Sequence, residues 1–216
     1  MCNYRVRESV GGKDYLAVIH LVDAWWGGRR VSPMLPRLFF ENFCDTTLVA
    51  VRDEAGGEGS EQEGKEIVVG FLCGFISQSS VGEAHAHFIG IAPAHRGAGL
   101  GATLYDHFFR VVGARGCTLV HAVTDPCNTS SVAFHMALGF EPRRVTVPLC
   151  RSSDEKHGAA CARLEASVSH ENDGIASGNN ILAKRPDGDV YVRSEFVHVN
   201  YDGPDKGDRV VMEKRF

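Results

Sequence analysis

The chain has 216 residues, 44% hydrophobic and 23% charged, a globular composition unlike that of a disordered, fibrous or membrane-embedded protein. Lys and Arg total 23 against 27 Asp and Glu, so there is no basic excess to neutralise a phosphate backbone, and no nucleic-acid partner is expected. Glycine is the outlier at 24 residues, marking either slack loops or places where backbone approaches a ligand closely.

The seven cysteines are scattered and never spaced C-x-x-C, which suggests neither a disulfide framework nor a zinc knuckle. The N-terminus is polar, and no apolar run approaches the roughly 20 residues of a membrane span. The expectation is a cytoplasmic protein with no membrane partner.

Tyr4 to Arg7 alternates like a strand, and Asp14 to Trp26 carries Leu16, Ile19, Val22 and Trp26 at helical spacing. Trp25-Trp26-Gly27-Gly28 breaks that helix, and a second is expected from Pro33 to Phe43. Thr46 to Arg52 and Glu66 to Ser77 read as two strands of a hairpin around a polar Gly/Glu loop, Ala55 to Gly64. Ala84 to Ile91 alternates, with His85, His87, Ile89 and Ile91 expected on one face and Ala84, Ala86, Phe88 and Gly90 on the other. Glu83 lies two residues back on the histidine face.

Gly97-Ala98-Gly99-Leu100-Gly101 leads into a helix, Ala102 to Ala114, striped by Leu104, Tyr105, Phe108, Phe109 and Val112. After a strand at Thr118 to Thr124, Asn128 offers an N-cap to a helix ending at Leu138, stopped by Gly139. Arg151 to Asp189 is rich in Ser, Gly, Asn, Asp, Lys and Glu, and reads as a flexible insertion within a single domain, 1–216. Val190 to Asn200 and Asp208 to Phe216 alternate as closing strands, joined by a turn at Tyr201 to Pro204. Strands mixed with helices indicate an α/β or α+β domain.

A strand, a tight glycine turn and a helix in direct succession place bare N–H groups where they bind phosphate. A P-loop needs Gly-Lys-Ser/Thr, and Gly101 is followed by Ala102, so that reading fails. The dinucleotide pattern G-x-G-x-x-A is met by Gly97, Gly99 and Ala102, but Asp125 lies well past the acidic position expected about 20 residues on. The segment also reads R-x-x-G-x-G, Arg96 to Gly101. Here the chain resembles the GNAT superfamily of acyl-CoA-dependent N-acyltransferases. Asn128, Ala133, His135, Gly139 and Phe140 are similar to the helix that follows the next strand in that family, and the order of elements from Asn3 to Phe140 is similar as well. The Trp25-Trp26-Gly27-Gly28 and Tyr201-Asp202-Gly203-Pro204 segments, the latter with Asp208-Arg209-Val210-Val211, resemble one bacterial-type subgroup.

The resemblance implies a mixed, mostly antiparallel central sheet flanked by helices and splayed between the fourth and fifth strands, with acetyl-CoA as acyl-donor cosubstrate and no metal. It implies that Gly97, Ala98, Gly99, Leu100 and Gly101 cradle the pyrophosphate, Arg96 adds charge, and Ile89, Gly90 and Ile91 bond the pantetheine arm through their backbone. Asn128, Ser130 and Ser131 would bind the cofactor from the next helix. The implied reaction moves an acetyl group to a primary amine of a small molecule or peptide by direct attack in a ternary complex, and the resemblance leaves room for a homodimer.

Seven residues past Asn128, where many members carry a Tyr that protonates the thiolate, stands His135; where they carry a Glu base, the strand shows His85 and His87. These three are the catalytic candidates. Trp25, Trp26, Arg29, Tyr201 and Asp202 are candidates for the acceptor pocket, since aromatics with a carboxylate suit a cationic amine. His85, His87 and His121 could also be drawn as a three-His metal site, which would require convergence across strands. The alternative function is a non-catalytic acyl-CoA-binding or sensing module with a degenerate site.

Overall fold

The computed structural model describes residues 4–53, 66–145, 181–184, 188–198, 201 and 207–216. The chain divides into two compact units, Met1–His121 with Arg215–Phe216, and Ala122–Lys214. The first unit holds β1 (Tyr4–Glu8), α1 (Gly12–Ile19), α2 (Val22–Trp25), α3 (Leu38–Asn42), β2 (Thr47–Asp53), β3 (Glu66–Ile76), β4 (Glu83–Ile91), α4 (Leu100–Gly113) and the start of β5 (Leu119–Thr124). Its strands follow the order β1-β2-β3-β4-β5, antiparallel except for the parallel pair β4 and β5. The fold is the expected mixed, mostly antiparallel sheet flanked by helices.

Helices α1 to α3 cover one face of this sheet because their buried residues fall on one side: Val18, Val22, Phe39 and Phe40 meet Val49, Val51, Phe71 and Cys73 in one cluster. On α4 the stripe Leu104, Tyr105, Phe108 and Val112 is fully buried, and the helix packs on β2 and β3. Phe108 explains Gly74, where an added Cβ would overlap its ring, with Phe108 Cζ only 2.6 Å away. Each such side chain contributes about 2 kcal/mol through burial.

The two expected N-terminal helices are shorter than the periodicity suggested. The first breaks at His20, which caps α1 before α2 begins at Val22. The second resolves into a 3-10 turn, Ser32–Met34, and α3. The cause is Pro36, which pushes the preceding Leu35 out of helical conformation to φ −110, ψ 84.

The alternation on β4 is also corrected. Its pairing with β3 slips between Cys73 and Gly74: Cys73 opposes Phe88 and Gly74 opposes Ala86, leaving His87 as the extra residue of a bulge. One unpaired residue reverses the phase. Phe88 and Gly90 therefore meet Trp26 and Phe71, on the sheet face where Phe75 stacks on His85, instead of opposing the histidines as strict alternation required.

The second unit holds the end of β5, α5 (Thr129–Ala137), β6 (Glu141–Pro142), β7 (Leu182–Lys184), β8 (Val190–Val192) and β9 (Val210–Arg215), whose last residue belongs to the first unit. Here β5 is followed by β9 and β6, while β7 and β8 form a separate antiparallel pair. The cap and stop of α5 stand as expected. Asn128 accepts the Ser131 N–H at 3.2 Å, Gly139 sits at φ +82, and the Phe140 N–H donates back to the His135 carbonyl at 3.0 Å.

The stretch 151–189 differs from a plain insertion at its end, where Ile181 is fully buried and β7 pairs with β8. The expected strand from Val190 stops at Val192 and gives way to a 3-10 turn, Ser194–Phe196. The loop at Ala55 to Gly64, residues 151–180 and most of the turn after Tyr201 lie outside the described residues.

Candidate active site

Between β4 and α4 the chain makes a 3-10 turn, Pro93–His95, and then passes through Gly97 and Gly99, both at φ +77. That left-handed conformation is strained for any residue with a Cβ, and an added Cβ at either glycine would meet nothing within 4 Å. These glycines therefore serve the backbone path and not the packing. Gly99 is the N-cap of α4 and no side chain caps the helix, so the first-turn N–H groups of Leu100, Gly101 and Ala102 rely on a partner from outside the helix. Leu100 and Gly101 are buried, whereas Gly97, Ala98 and Gly99 are exposed. A helix N-terminus of this kind suits an anion.

Three contacts brace the turn. The Tyr4 hydroxyl lies 3.0 Å from His95 Nδ1. Arg96 donates from Nε to the Ile91 carbonyl at 3.1 Å and from Nη2 to the Trp25 carbonyl. Arg96, expected beside the phosphates, thus spends hydrogen bonds tying the end of α2 to the end of β4. Tyr4 and His95 carried no signal in the sequence, because their approach depends on β1 reaching the edge of the turn.

Of the candidate histidines, His87 stacks on Phe39 with ring centroids 4.7 Å apart, and burial lowers its pKa against a hydrogen bond with the Met34 backbone that raises it. His85 lies sandwiched between Phe75, at 5.0 Å, and His121, at 4.8 Å. His121 Nε2 is 3.0 Å from Glu83 Oε2. Burial first, and then the charge of His121, lower the pKa of His85, while Glu83 opposes them.

The three-His arrangement is not what forms: His87 goes to Phe39, and Glu83 takes its place beside His85 and His121, with one ligating atom from each lying within 4.8 Å of the others. That gathering crosses from β4 to β5, which no linear spacing reveals.

In the second unit His135 is buried at 4% exposure, its Nδ1 donating to the Ser131 carbonyl at 2.7 Å and its ring edge-on to Phe140. Burial lowers its pKa against that hydrogen bond. Asn128 and Ser131 are engaged in the α5 cap, and Ser130 is exposed.

Among the acceptor candidates, Trp25 is core, tilted against Phe71, while Trp26 lies over Gly90, where a Cβ would overlap its ring, and against Phe88. Ile89 and Ile91 flank Gly90 as half-buried residues. Arg29 is exposed, Tyr201 is 44% exposed beside His198, and Asp202 lies outside the described residues.

A mixed sheet whose fourth strand feeds an uncapped helix through left-handed glycines defines the class, an α/β protein with a glycine turn at a helix N-terminus. Residues 17–140, more than half of the chain, match the model of the Acetyltransferase (GNAT) family, and the chain belongs to that family. L-2,4-diaminobutyric acid acetyltransferase of Streptomyces coelicolor is 32% identical over 85 residues, 39% of this chain and 50% of that protein, so the match spans half the relative's length. The solved diaminobutyrate acetyltransferase of Paenibacillus lautus, in complex with L-2,4-diaminobutyric acid and coenzyme A, is 15% identical over 99% of this chain and 95% of its own, with a TM-score of 0.51. yncA from Salmonella typhimurium with its cofactor acetyl-CoA is 16% identical over 99% and 94%, with a TM-score of 0.53. At these identities the structural likeness is one of fold.

Proposed function

We propose that the protein is an N-acetyltransferase that moves the acetyl group of acetyl-CoA to a primary amine of a small molecule or peptide by direct attack in a ternary complex. The observation that carries this reading is the segment from β4 to α4. Its two left-handed glycines and uncapped helix N-terminus leave backbone N–H groups to receive a pyrophosphate. Ile89 to Ile91 would hold the pantetheine arm as a backbone strand partner, with Asn128, Ser130 and Ser131 as further cofactor contacts.

The chemistry balances without an enzyme nucleophile. The acceptor ammonium gives one proton to a base, the freed amine forms a C–N bond at the thioester carbonyl, the C–S bond breaks, and the CoA thiolate takes up a proton. His85 and His87, both held toward the neutral state by burial, suit the base. His135 is the proposed donor to the thiolate, and must itself be protonated first. Trp25, Trp26, Arg29, Tyr201 and Asp202 remain the proposed acceptor contacts. Diaminobutyrate enters as a candidate acceptor because the relatives named above are described by it. The likeness of Trp25 to Gly28 and Tyr201 to Pro204 to a bacterial-type subgroup is part of the same proposal.

One observation favours the non-catalytic alternative: the buried, Ser131-bound His135 is disfavoured in the charged form that a donor needs. The deciding experiment supplies acetyl-CoA with L-2,4-diaminobutyrate, lysine, spermidine and a short peptide across about pH 6 to 9, and measures CoA release with a thiol reagent. Release with at least one amine is expected. CoA binding by calorimetry with no release from any amine would favour the binding module.

A further inference from the structure

Glu83, His85 and His121 gather on β4 and β5, within the first unit and upstream of the bulge at His87. The His85 ring is sandwiched between Phe75, with planes 10° apart, and His121, with planes 23° apart. A sandwiched ring has its plane fixed on both faces, so only its rim, where the nitrogens lie, can meet a substrate. His121 is the more buried partner, with 9% of its side chain exposed against 33% for Glu83, and its Nε2 is held by the Glu83 carboxylate.

This geometry disfavours a metal centre. Lone pairs of imidazole lie in the ring plane, so two nearly parallel stacked rings cannot aim theirs at one ion as a tetrahedral site requires. It suits proton uptake instead. A charged imidazole gains from the Phe75 face and from a nearby carboxylate.

We propose that Glu83, His121 and His85 form a composite base, in which the rim of His85 takes the proton of the acceptor ammonium while His121 and Glu83 act as positioning residues. This rests on the acetyl-transfer reading and deepens it by choosing among the histidines. The reaction is one proton moved from R–NH3+ to a His85 nitrogen, leaving R–NH2 to attack the thioester. The groups acting on His85 are Glu83 from its own strand and His121 from β5, while β3 presents the uncharged Phe75.

The test is the pH dependence of kcat/KM for CoA release, with the most active amine of the panel above. His85→Ala should lose at least about a hundredfold in kcat/KM, with CoA affinity by calorimetry held within twofold as the folding control, and added imidazole should restore part of the loss. The two positioning variants should shift the acidic limb in opposite directions. His121→Asn removes a charge that lowers the His85 pKa and moves the limb to higher pH; Glu83→Gln removes one that raises it and moves the limb to lower pH.

A merely structural role for these residues would lower rates without separating the limbs. Retention of the rate in His85→Ala, failure of imidazole to restore it, or limbs that do not separate would overturn the proposal. So would activity that a chelator abolishes and zinc restores, which would assign the cluster to a metal. A wild-type protein that releases no CoA with any amine instead defeats the acetyl-transfer reading, and the composite base falls with it.

Discussion

Gly97 and Gly99 show how much a single residue can decide at this turn. Both sit at φ +77 with no atom within 4 Å of an added Cβ, so an alanine there is opposed by conformation alone. Gly99→Ala should cost about 1–2 kcal/mol of stability in urea titrations and should weaken CoA binding by calorimetry, because the helix N-terminus no longer holds its angle. Gly90 is the opposite case. Its φ is ordinary, but a Cβ would overlap the Trp26 ring, with Cζ3 at 2.7 Å and Phe71 Cε1 at 3.0 Å. Gly90→Ala should therefore displace Trp26, visible as a shift in tryptophan emission, at a cost of about 1–3 kcal/mol. The R-x-x-G-x-G spacing made Gly99 legible in the sequence, and the G-x-G-x-x-A pattern did the same for Gly97. The role of Gly90 was not legible, since it depends on which indole lands above it.

Elements are held to each other by a few buried polar contacts that the periodicity of the chain does not disclose. Asp14 on α1 is 1% exposed and accepts from Arg7 on β1 at 2.7 and 3.0 Å and from the Val10 N–H at 2.7 Å. Arg7 also reaches Glu66 on β3, and its hydrogen bond to Asp14 holds its pKa above the usual value. Asp14→Asn leaves Arg7 partly unpaired and should lower stability by about 3 kcal/mol in chemical denaturation. The Asn128 cap, by contrast, was readable from its residue type and the Gly139 stop. Strand β4 was half readable: its bounds followed from β propensity, but the bulge at His87 reversed the face of every residue after it. A bulge is a decision of the paired strand, and its signal lay on β3, where Gly74 sits at the slip.

At the scale of the molecule, four histidines, His85, His87, His107 and His135, have pKa values below the ordinary 6.5, each chiefly through loss of hydration. The unfolded chain therefore takes up protons first. Stability is complete above about 6.5 and declines as pH falls below it, until the folded protein is protonated as well. Thermal melts should show a lower Tm at mildly acid pH than at neutral pH, and His135→Gln should flatten that dependence, since a neutral side chain there has no proton to gain. The order of elements up to Phe140 was legible because each carries its own local pattern. Of the gathering of Glu83, His85 and His121, the approach of His121 to His85 was legible, whereas Glu83 in place of His87 was not, because it depends on how β4 pairs with its neighbours.

The turn at Gly97 and Gly99 is an achiral piece of chain set where handedness decides the fold. A mirror-image residue favours the half of conformational space that L residues avoid. Replacing Gly97 or Gly99 with D-alanine by chemical ligation should therefore preserve or raise the melting temperature that L-alanine lowers. If the D-alanine protein stays folded yet loses CoA affinity, the methyl group has reached the ligand itself. Chirality thus becomes a probe that separates the strain of making the turn from the contact it makes.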